Sequence, residues 1–247
     1  DGASQISKIV DRACDLGMNS IALTDHGVMY GVLDLVKKCK EKGIKPIIGA
    51  ELLLSVPELP EPVVVQALCK DKAGYINLTE VLSQAYCEGQ ADFGKPVIKW
   101  EWLKQRSNGL IILSGGINGD VGRTINADKA PLALDIIKRW QSVFGDRFYL
   151  EIQRVGHKEE ALYTSTLLSL IKGMQVPVVA TNAVRFIEKS EFTAHTARVC
   201  INSGYVLDDH RRPENYTQQQ YFLTSTQMHE LFADVPGALE NAAQIVK

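Results

Sequence analysis

The chain alternates short apolar runs with longer stretches in which apolar residues recur every three or four positions. The apolar runs predict strands at 20–23, 45–51, 63–69, 110–113, 148–152 and 177–181. The helical spacing predicts helices at 4–17, 32–42, 76–85, 131–144, 159–172 and 194–200. Strands that are apolar on both faces and separated by helices favour a parallel α/β sheet, either doubly wound or closed into a barrel.

The pattern changes after Gly204, where a polar loop leads to a capped helix over 225–232 and a last helix after Pro236. We therefore expect two parts: a barrel domain over 1–203 and a helical extension over 204–247 that leads elsewhere.

Polar residues follow the predicted strands at their carboxyl ends. They are Asp25 and His26, Glu51, the segment 114–116 and Asn182. In parallel α/β folds these ends meet at one edge, so the polar residues are expected to gather at one mouth.

Composition and charge limit the classes of function. The net charge of -2 gives no overall basic surface for nucleic acid, and no apolar run is long enough to span a membrane. The five cysteines are odd in number and widely spread, which favours reduced thiols over a disulfide framework. The sequence predicts a cytoplasmic location and no membrane partner.

Two interpretations of the mouth remain open from the residues alone. An imidazole and carboxylates from different strand ends are typical ligands of a hydrolytic zinc, manganese or iron site, with His26 and Glu51 as the candidates. Alternatively, His26 only forms a hydrogen bond in a loop, and Asp25 caps the following helix. The glycines of "SGGINGDVGR" leave a similar choice between phosphate binding and a tight loop, because their spacing is not the dinucleotide motif.

Several stretches occur in an order that resembles one family. They are "ALTDHGVMYG", "IKPIIGAE", "KAGYINLTEVLSQAY", "GLIILSGGINGDVGR", "VPVVATNAVRF" and "YTQQQYFLTSTQMHELFADVPGALENA". The chain resembles the polymerase and histidinol phosphatase (PHP) domains of bacterial DNA polymerase III alpha subunits, of the proteobacterial type. The resemblance implies a distorted (β/α)7 barrel, with a first strand that lies ahead of Asp1 and is missing from this chain.

The resemblance also assigns the metal ligands of the family to positions of this sequence. Asp1, His26 and Glu51 fall on ligand positions, and Asp25 falls on a neighbouring position that orients a ligand. The remaining ligand positions hold residues that cannot replace the family's side chains, namely Val64, Gly116, Ala183 and Arg185. The metal site is therefore expected to be vestigial, with no catalytic residue, and the guanidinium of Arg185 is expected to replace the metal beside the mouth carboxylates.

The resemblance implies a role in DNA replication. The segment is expected to stabilise the remainder of the alpha subunit and to dock the proofreading exonuclease (epsilon) subunit, while the parent polymerase binds DNA and uses magnesium. For the segment itself it implies no cofactor beyond residual zinc or manganese. The alternative is an active metal-dependent phosphoesterase, either a pyrophosphatase or a 3′-5′ exonuclease.

Overall fold

The computed structural model describes residues 4–90, 94–212 and 215–247. The strands are β1 (Ser20–His26), β2 (Lys45–Ser55), β3 (Val63–Cys69), β4 (Ile98–Lys99), β5 (Leu110–Leu113), β6 (Phe148–Gln153) and β7 (Val178–Thr181). The helices are α1 (Ile6–Asp15), α2 (Val32–Lys42), α3 (Lys72–Glu88), α4 (Trp100–Gln105), α5 (Asp120–Asn126), α6 (Ala130–Phe144), α7 (Glu160–Leu170), α8 (Phe192–Ser203), α9 (Ser225–Leu231) and α10 (Pro236–Val246). The α/β class is confirmed, and β4, α4 and α5 are elements that the pattern did not predict.

The strands form one mixed sheet in the order β1-β2-β3-β5-β6-β7, with β4 paired to β2. The prediction of an entirely parallel sheet is wrong at β3, which runs antiparallel to both β2 and β5. The reason is the connection between β2 and β3, since residues 56–62 contain no helix. A parallel pair needs a longer crossover, so the chain turns back on itself.

The sheet curls into a half-barrel, and its two faces have different partners. On the convex face, alternate residues of the strands pack with the helices in the larger core, which includes Trp140 stacked on Phe148 with ring centroids 5.4 Å apart. On the concave face a smaller cluster contains Leu68, Leu113 and Val179. The alternation of side chains along each strand thus places the larger core outside the curl.

A buried ionic network lies among the outer helices. Nη2 of Arg139 is 2.8 Å from Oδ2 of Asp120, and the indole nitrogen of Trp140 donates to the same oxygen at 2.8 Å. The Arg139 guanidinium also contacts Glu58 and lies 4.0 Å from the ring of Trp100. Paired in this way, the buried Asp120 side chain connects α5 to α6.

The segment 204–247 packs against the sheet. Ala242 and Ile245 of α10 contact the small concave cluster, and Nδ2 of Asn241 donates to the Val178 carbonyl at 2.8 Å. Arg154 forms two 2.7 Å hydrogen bonds with Asp234. The division at 203/204 stays a prediction.

Within the described ranges, no helix is long and apolar enough to cross a membrane. The five cysteine thiols are free.

Candidate functional site

The carboxyl ends of several strands surround one mouth, as the sequence predicts. A cavity of about 870 Å³ is lined there by Thr24, Glu51, Gly115 and Thr181. Thr24 and Thr181 come from the ends of β1 and β7, Gly115 follows β5, and Glu51 lies within β2, which continues to Ser55 beyond the predicted end at 51. The curl of the sheet brings these residues together.

Strand register places three polar side chains side by side at this mouth. His26 is the register partner of Glu51, and Glu51 is the register partner of Gln66. Nδ1 of His26 contacts Oε1 of Glu51, and Nε2 of Gln66 donates to Oε2 of Glu51 at 2.8 Å. Each carboxylate oxygen of Glu51 therefore has a side-chain partner.

Arg185 reaches the same group from the loop after β7. Its backbone nitrogen donates to the Gln220 carbonyl at 2.8 Å, which anchors the loop to the extension. Its Nη1 lies 3.0 Å from Nε2 of His26, and its guanidinium carbon lies 5.6 Å from the Tyr216 ring centroid. Since a guanidinium only donates, Nε2 accepts in this contact, and the ring hydrogen on Nδ1 faces Glu51.

The surroundings of Glu51 favour its ionised form. Burial acts to raise the pKa of Glu51, but the hydrogen bonds of His26 and Gln66 act against burial, as does the charge of Arg185. The result is a pKa below the ordinary value, so Glu51 is a carboxylate at neutral pH.

Asp25 lines the same cavity but forms its hydrogen bond outside this group. Its Oδ2 accepts a hydrogen bond from the backbone nitrogen of Gly31 at 3.1 Å, immediately before α2. Asp25 thus holds the turn that leads into α2, but within the described residues no side chain caps the first turn of the helix itself.

The described residues do not fit a metal ion at the mouth. Both ring nitrogens of His26 are engaged, one by Glu51 and one by Arg185. Val64, Gly116 and Ala183 have no side-chain donor atom for a metal. Across the ranges 4–90, 94–212 and 215–247, no group of three or more His, Cys, Asp or Glu side chains could hold one. Asp1 lies outside the described residues.

Glu151 is a further acid at the mouth that the sequence reasoning missed. It is 2% exposed, and its carboxylate accepts hydrogen bonds from Thr181 Oγ1, from Gln153 Nε2 at 3.0 Å and from the Gly115 nitrogen at 3.1 Å. Burial raises the pKa of Glu151, and the nearby charge of Glu51 acts in the same direction. The signal was present in "FYLEIQ", where a period of two places Glu151 and Gln153 on one face of β6.

The glycines after β5 serve close backbone packing. Gly115 has φ +76°, and a Cβ at this position would lie 1.8 Å from the Val64 carbonyl oxygen. A Cβ at Gly119 would lie 1.7 Å from the Ser114 carbonyl oxygen. The backbone geometry therefore accounts for both glycines through a tight loop, without a phosphate.

Comparison with known proteins identifies the class of domain. Residues 1–155 match the PHP domain family, and the chain belongs to that family. The chain is 40% identical over 248 residues to DNA polymerase III subunit alpha of Vibrio cholerae, and 39% identical over 248 residues to that of Escherichia coli. Both alignments cover 100% of this chain and 21% of the relative, so the chain spans about a fifth of the relatives' length.

The predicted resemblance to PHP domains of these alpha subunits is confirmed. Among solved structures, an amidohydrolase from Chromobacterium violaceum with bound sulfate and no metal has a similar fold. The TM-score is 0.49 at 16% sequence identity, and the alignment covers 74% of this chain and 82% of that chain.

Proposed function

We propose that the chain is the amino-terminal PHP domain of a replicative DNA polymerase III alpha subunit, where it is a structural and docking module with a degenerate metal site. The observation that carries the proposal is the contact between Arg185 and Nε2 of His26. A histidine binds a metal through an unprotonated ring nitrogen, and here that nitrogen accepts from a permanent cation.

The main alternative is an active metal-dependent phosphoesterase, either a pyrophosphatase or a 3′-5′ exonuclease. Such chemistry needs metal-bridging ligands that hold a nucleophilic water beside the phosphate. The non-ligating side chains at Val64, Gly116 and Ala183 leave too few donors for this arrangement, and Arg185 adds a positive charge where a divalent ion would sit. The side chains available as metal ligands thus favour a structural and docking module over a metal-dependent phosphoesterase.

The parent polymerase supplies the remaining parts of the proposed role. Nucleotidyl transfer, DNA binding and magnesium belong to the remainder of the alpha subunit, and the cellular location is the cytoplasm. High identity along the whole chain to two alpha subunits supports this assignment.

Docking of the proofreading exonuclease (epsilon) subunit is the second part of the proposal. We place this contact on the outer surface of the domain. The polar groups of the mouth already contact one another, whereas the outer surface carries exposed apolar side chains such as Leu33 and Ile201.

Metal analysis tests the degenerate site. The intact protein is incubated with zinc or manganese, passed through a desalting column and assayed for bound metal and for hydrolysis of pyrophosphate. We expect less than stoichiometric metal and no hydrolysis. Stoichiometric metal that is lost in both His26→Ala and Glu51→Ala, together with hydrolysis, would overturn the proposal and favour the phosphoesterase.

A further inference from the structure

The extension contributes part of the lining of the mouth before it reaches α9. Residues 215–222, which we call the strap, lie beside the loop after β7, residues 182–187. Phe186 of this loop and Tyr221 of the strap form a parallel β-bridge. Because Arg185 belongs to the same loop, the strap is placed to determine where that residue lies.

Hydrogen bonds join the loop to the strap at several points. The backbone nitrogen of Arg185 donates to the Gln220 carbonyl at 2.8 Å, and the Phe222 nitrogen donates to the Ile187 carbonyl at 3.2 Å. Nδ2 of Asn182 donates to a third carbonyl, in the strap, at 2.7 Å. The loop therefore takes backbone partners from the extension, much as one strand takes them from its neighbour.

The side chain of Gln220 also connects the strap to the loop. Gln220 is 4% exposed, its Oε1 accepts from the Thr217 nitrogen at 2.9 Å, and its Nε2 donates to the Ala183 carbonyl at 3.3 Å. One end of the buried amide is thus bonded within the strap and the other end across to the loop. An apolar side chain of similar size would remove both bonds and leave buried polar groups with fewer partners.

The strap is itself attached to the barrel and to α9. Oγ1 of Thr217 donates to the Val155 carbonyl in the loop after β6. Beyond the other end of the strap, Thr224 and Gln227 form the capping box that begins α9, and Nε2 of Gln227 donates to the Tyr221 hydroxyl at 3.3 Å. A movement of the extension would therefore be transmitted to the strap through these contacts.

The strap contacts the side chain of Arg185 as well as its backbone. The guanidinium carbon lies 5.6 Å from the ring centroid of Tyr216, and on its other side Nη1 lies 3.0 Å from Nε2 of His26. Nε of Arg185 is buried and has no hydrogen-bond partner within the described ranges. The ring of Tyr216 therefore helps to position a guanidinium whose own hydrogen bonds are incomplete.

We infer that the strap holds Arg185 against His26, and that displacement of the strap uncovers Nε2 of the imidazole. The mouth is then coupled to the extension, so that a movement of the extension changes which groups the mouth presents. The inference rests on the proposed function in one respect, because the contact between Arg185 and His26 also carries the degenerate site.

Diethyl pyrocarbonate measures how far His26 is covered, because it acylates an unprotonated imidazole nitrogen and releases ethanol and carbon dioxide. The full-length protein is treated at constant pH, and peptide mass spectrometry gives the modification rate of His26 relative to the exposed His229. We expect Gln220→Leu and Arg185→Ala each to raise this relative rate by about fivefold. Gln218→Leu, an exposed position of the same strap, is the matched control and should leave the rate unchanged.

The outcomes separate the strap from the degenerate site. Acceleration in Arg185→Ala but not in Gln220→Leu overturns the role of the strap, while the contact with His26 stands. Equal acceleration in Gln218→Leu and Gln220→Leu also overturns that role. A rate that stays unchanged in Arg185→Ala overturns the contact itself, and with it both the strap and the observation that carries the proposed function.

Two further variants keep the test decisive. Gln220→Leu combined with Arg185→Ala should react no faster than Arg185→Ala alone, since both changes act on the same contact, and additive acceleration would overturn the role of the strap. Where urea unfolding shows that Gln220→Leu has lost the fold, Thr217→Val removes the hydroxyl donor to the Val155 carbonyl instead. We expect a faster reaction there too, and an unchanged rate would contradict the inference.

Discussion

Nη1 of Arg185 lies 3.0 Å from Nε2 of His26, so a side chain from the loop after β7 occupies the imidazole lone pair at the end of β1. The imidazole in turn contacts Glu51, whose second oxygen accepts from Gln66. The cation therefore acts on the carboxylate through an intervening ring as well as through its charge. The mouth carries a continuous series of side-chain contacts that runs from Arg185 through His26 and Glu51 to Gln66.

Replacement of Arg185 by Ala should remove one partner of His26 and leave the fold intact. The side chain of His26 is 42% exposed, so water can replace the lost donor, and we expect a loss of about 1 kcal/mol in the free energy of unfolding at pH 7. The pKa of Glu51 should rise, because the charge of Arg185 helps to lower it. Urea denaturation and carboxyl NMR titration measure the two effects. Arg198→Ala, on the exposed side of α8, is the control. Equal changes in the free energy of unfolding and in the pKa of Glu51 for the two variants would contradict the role of Arg185.

The double substitution Ala183→Asp with Arg185→His should move the mouth toward metal binding. It releases Nε2 of His26 and adds a carboxylate and an imidazole, which are ligands of zinc and manganese. We expect tighter binding of both metals than in the unmodified protein, measured by calorimetry. Adding His26→Ala to the double variant should remove the gain; a gain that persists without His26 would place the metal elsewhere.

Much of the fold follows from periodicity, but strand direction does not. The predicted strands at 20–23, 45–51, 63–69 and 148–152 all lie within or around observed strands. The direction of β3 depends on its connection to β2, since an apolar run has the same side-chain pattern whether it is parallel or antiparallel. β4 has only two residues, too few to show any period.

The candidate site was predictable to a similar degree. The ends of the predicted strands identified His26 and Glu51, because functional residues gather there in parallel α/β folds, although β2 in fact continues to Ser55. Glu151 lies inside a predicted apolar strand rather than after its end, so strand ends did not identify it. Only its period of two with Gln153 indicates that its side chain faces the mouth. The contact between Arg185 and His26 joins residues 159 positions apart, so only the folded sheet could reveal it.

The buried pair of Asp120 and Arg139 should matter more for stability than any pair on the surface. Asp120→Asn removes the negative charge opposite a largely buried guanidinium and places an amide against the Trp140 donor. We expect a loss of about 3–5 kcal/mol in the free energy of unfolding. Asp135→Asn breaks an exposed pair with Lys138 on α6 and should cost less than about 0.5 kcal/mol. Urea denaturation compares the two variants. A loss for Asp120→Asn as small as the loss for Asp135→Asn would show that the buried network is not stabilising.

Glu151→Gln should change the pH dependence of stability in a defined direction. The folded pKa of Glu151 is raised above its ordinary value of 4.5, mainly by burial, so the folded state holds the proton more tightly than the unfolded state. The stability that neutral Glu151 contributes is complete below 4.5 and is lost as the pH rises through the folded pKa. The deficit of the variant relative to the unmodified protein should therefore be largest at acid pH and shrink toward neutral pH. Urea denaturation across this range measures the deficit, and a deficit that grows with pH would contradict a raised pKa of Glu151.

Glu51→Gln should give the opposite slope, although Glu51 and Glu151 line the same mouth. The folded pKa of Glu51 lies below 4.5 because the hydrogen bonds of His26 and Gln66 and the charge of Arg185 together outweigh burial. Its stabilising contribution is present above 4.5 and disappears as the pH falls through the folded pKa. The deficit of Glu51→Gln should thus be largest near neutral pH and vanish in acid. The same series of urea denaturation measurements serves for both variants. Adding Arg185→Ala to Glu51→Gln should lower the free energy of unfolding little further than Glu51→Gln alone, because the two residues share His26 as a partner. Parallel slopes for Glu51→Gln and Glu151→Gln would show that the two acids do not occupy different electrostatic surroundings.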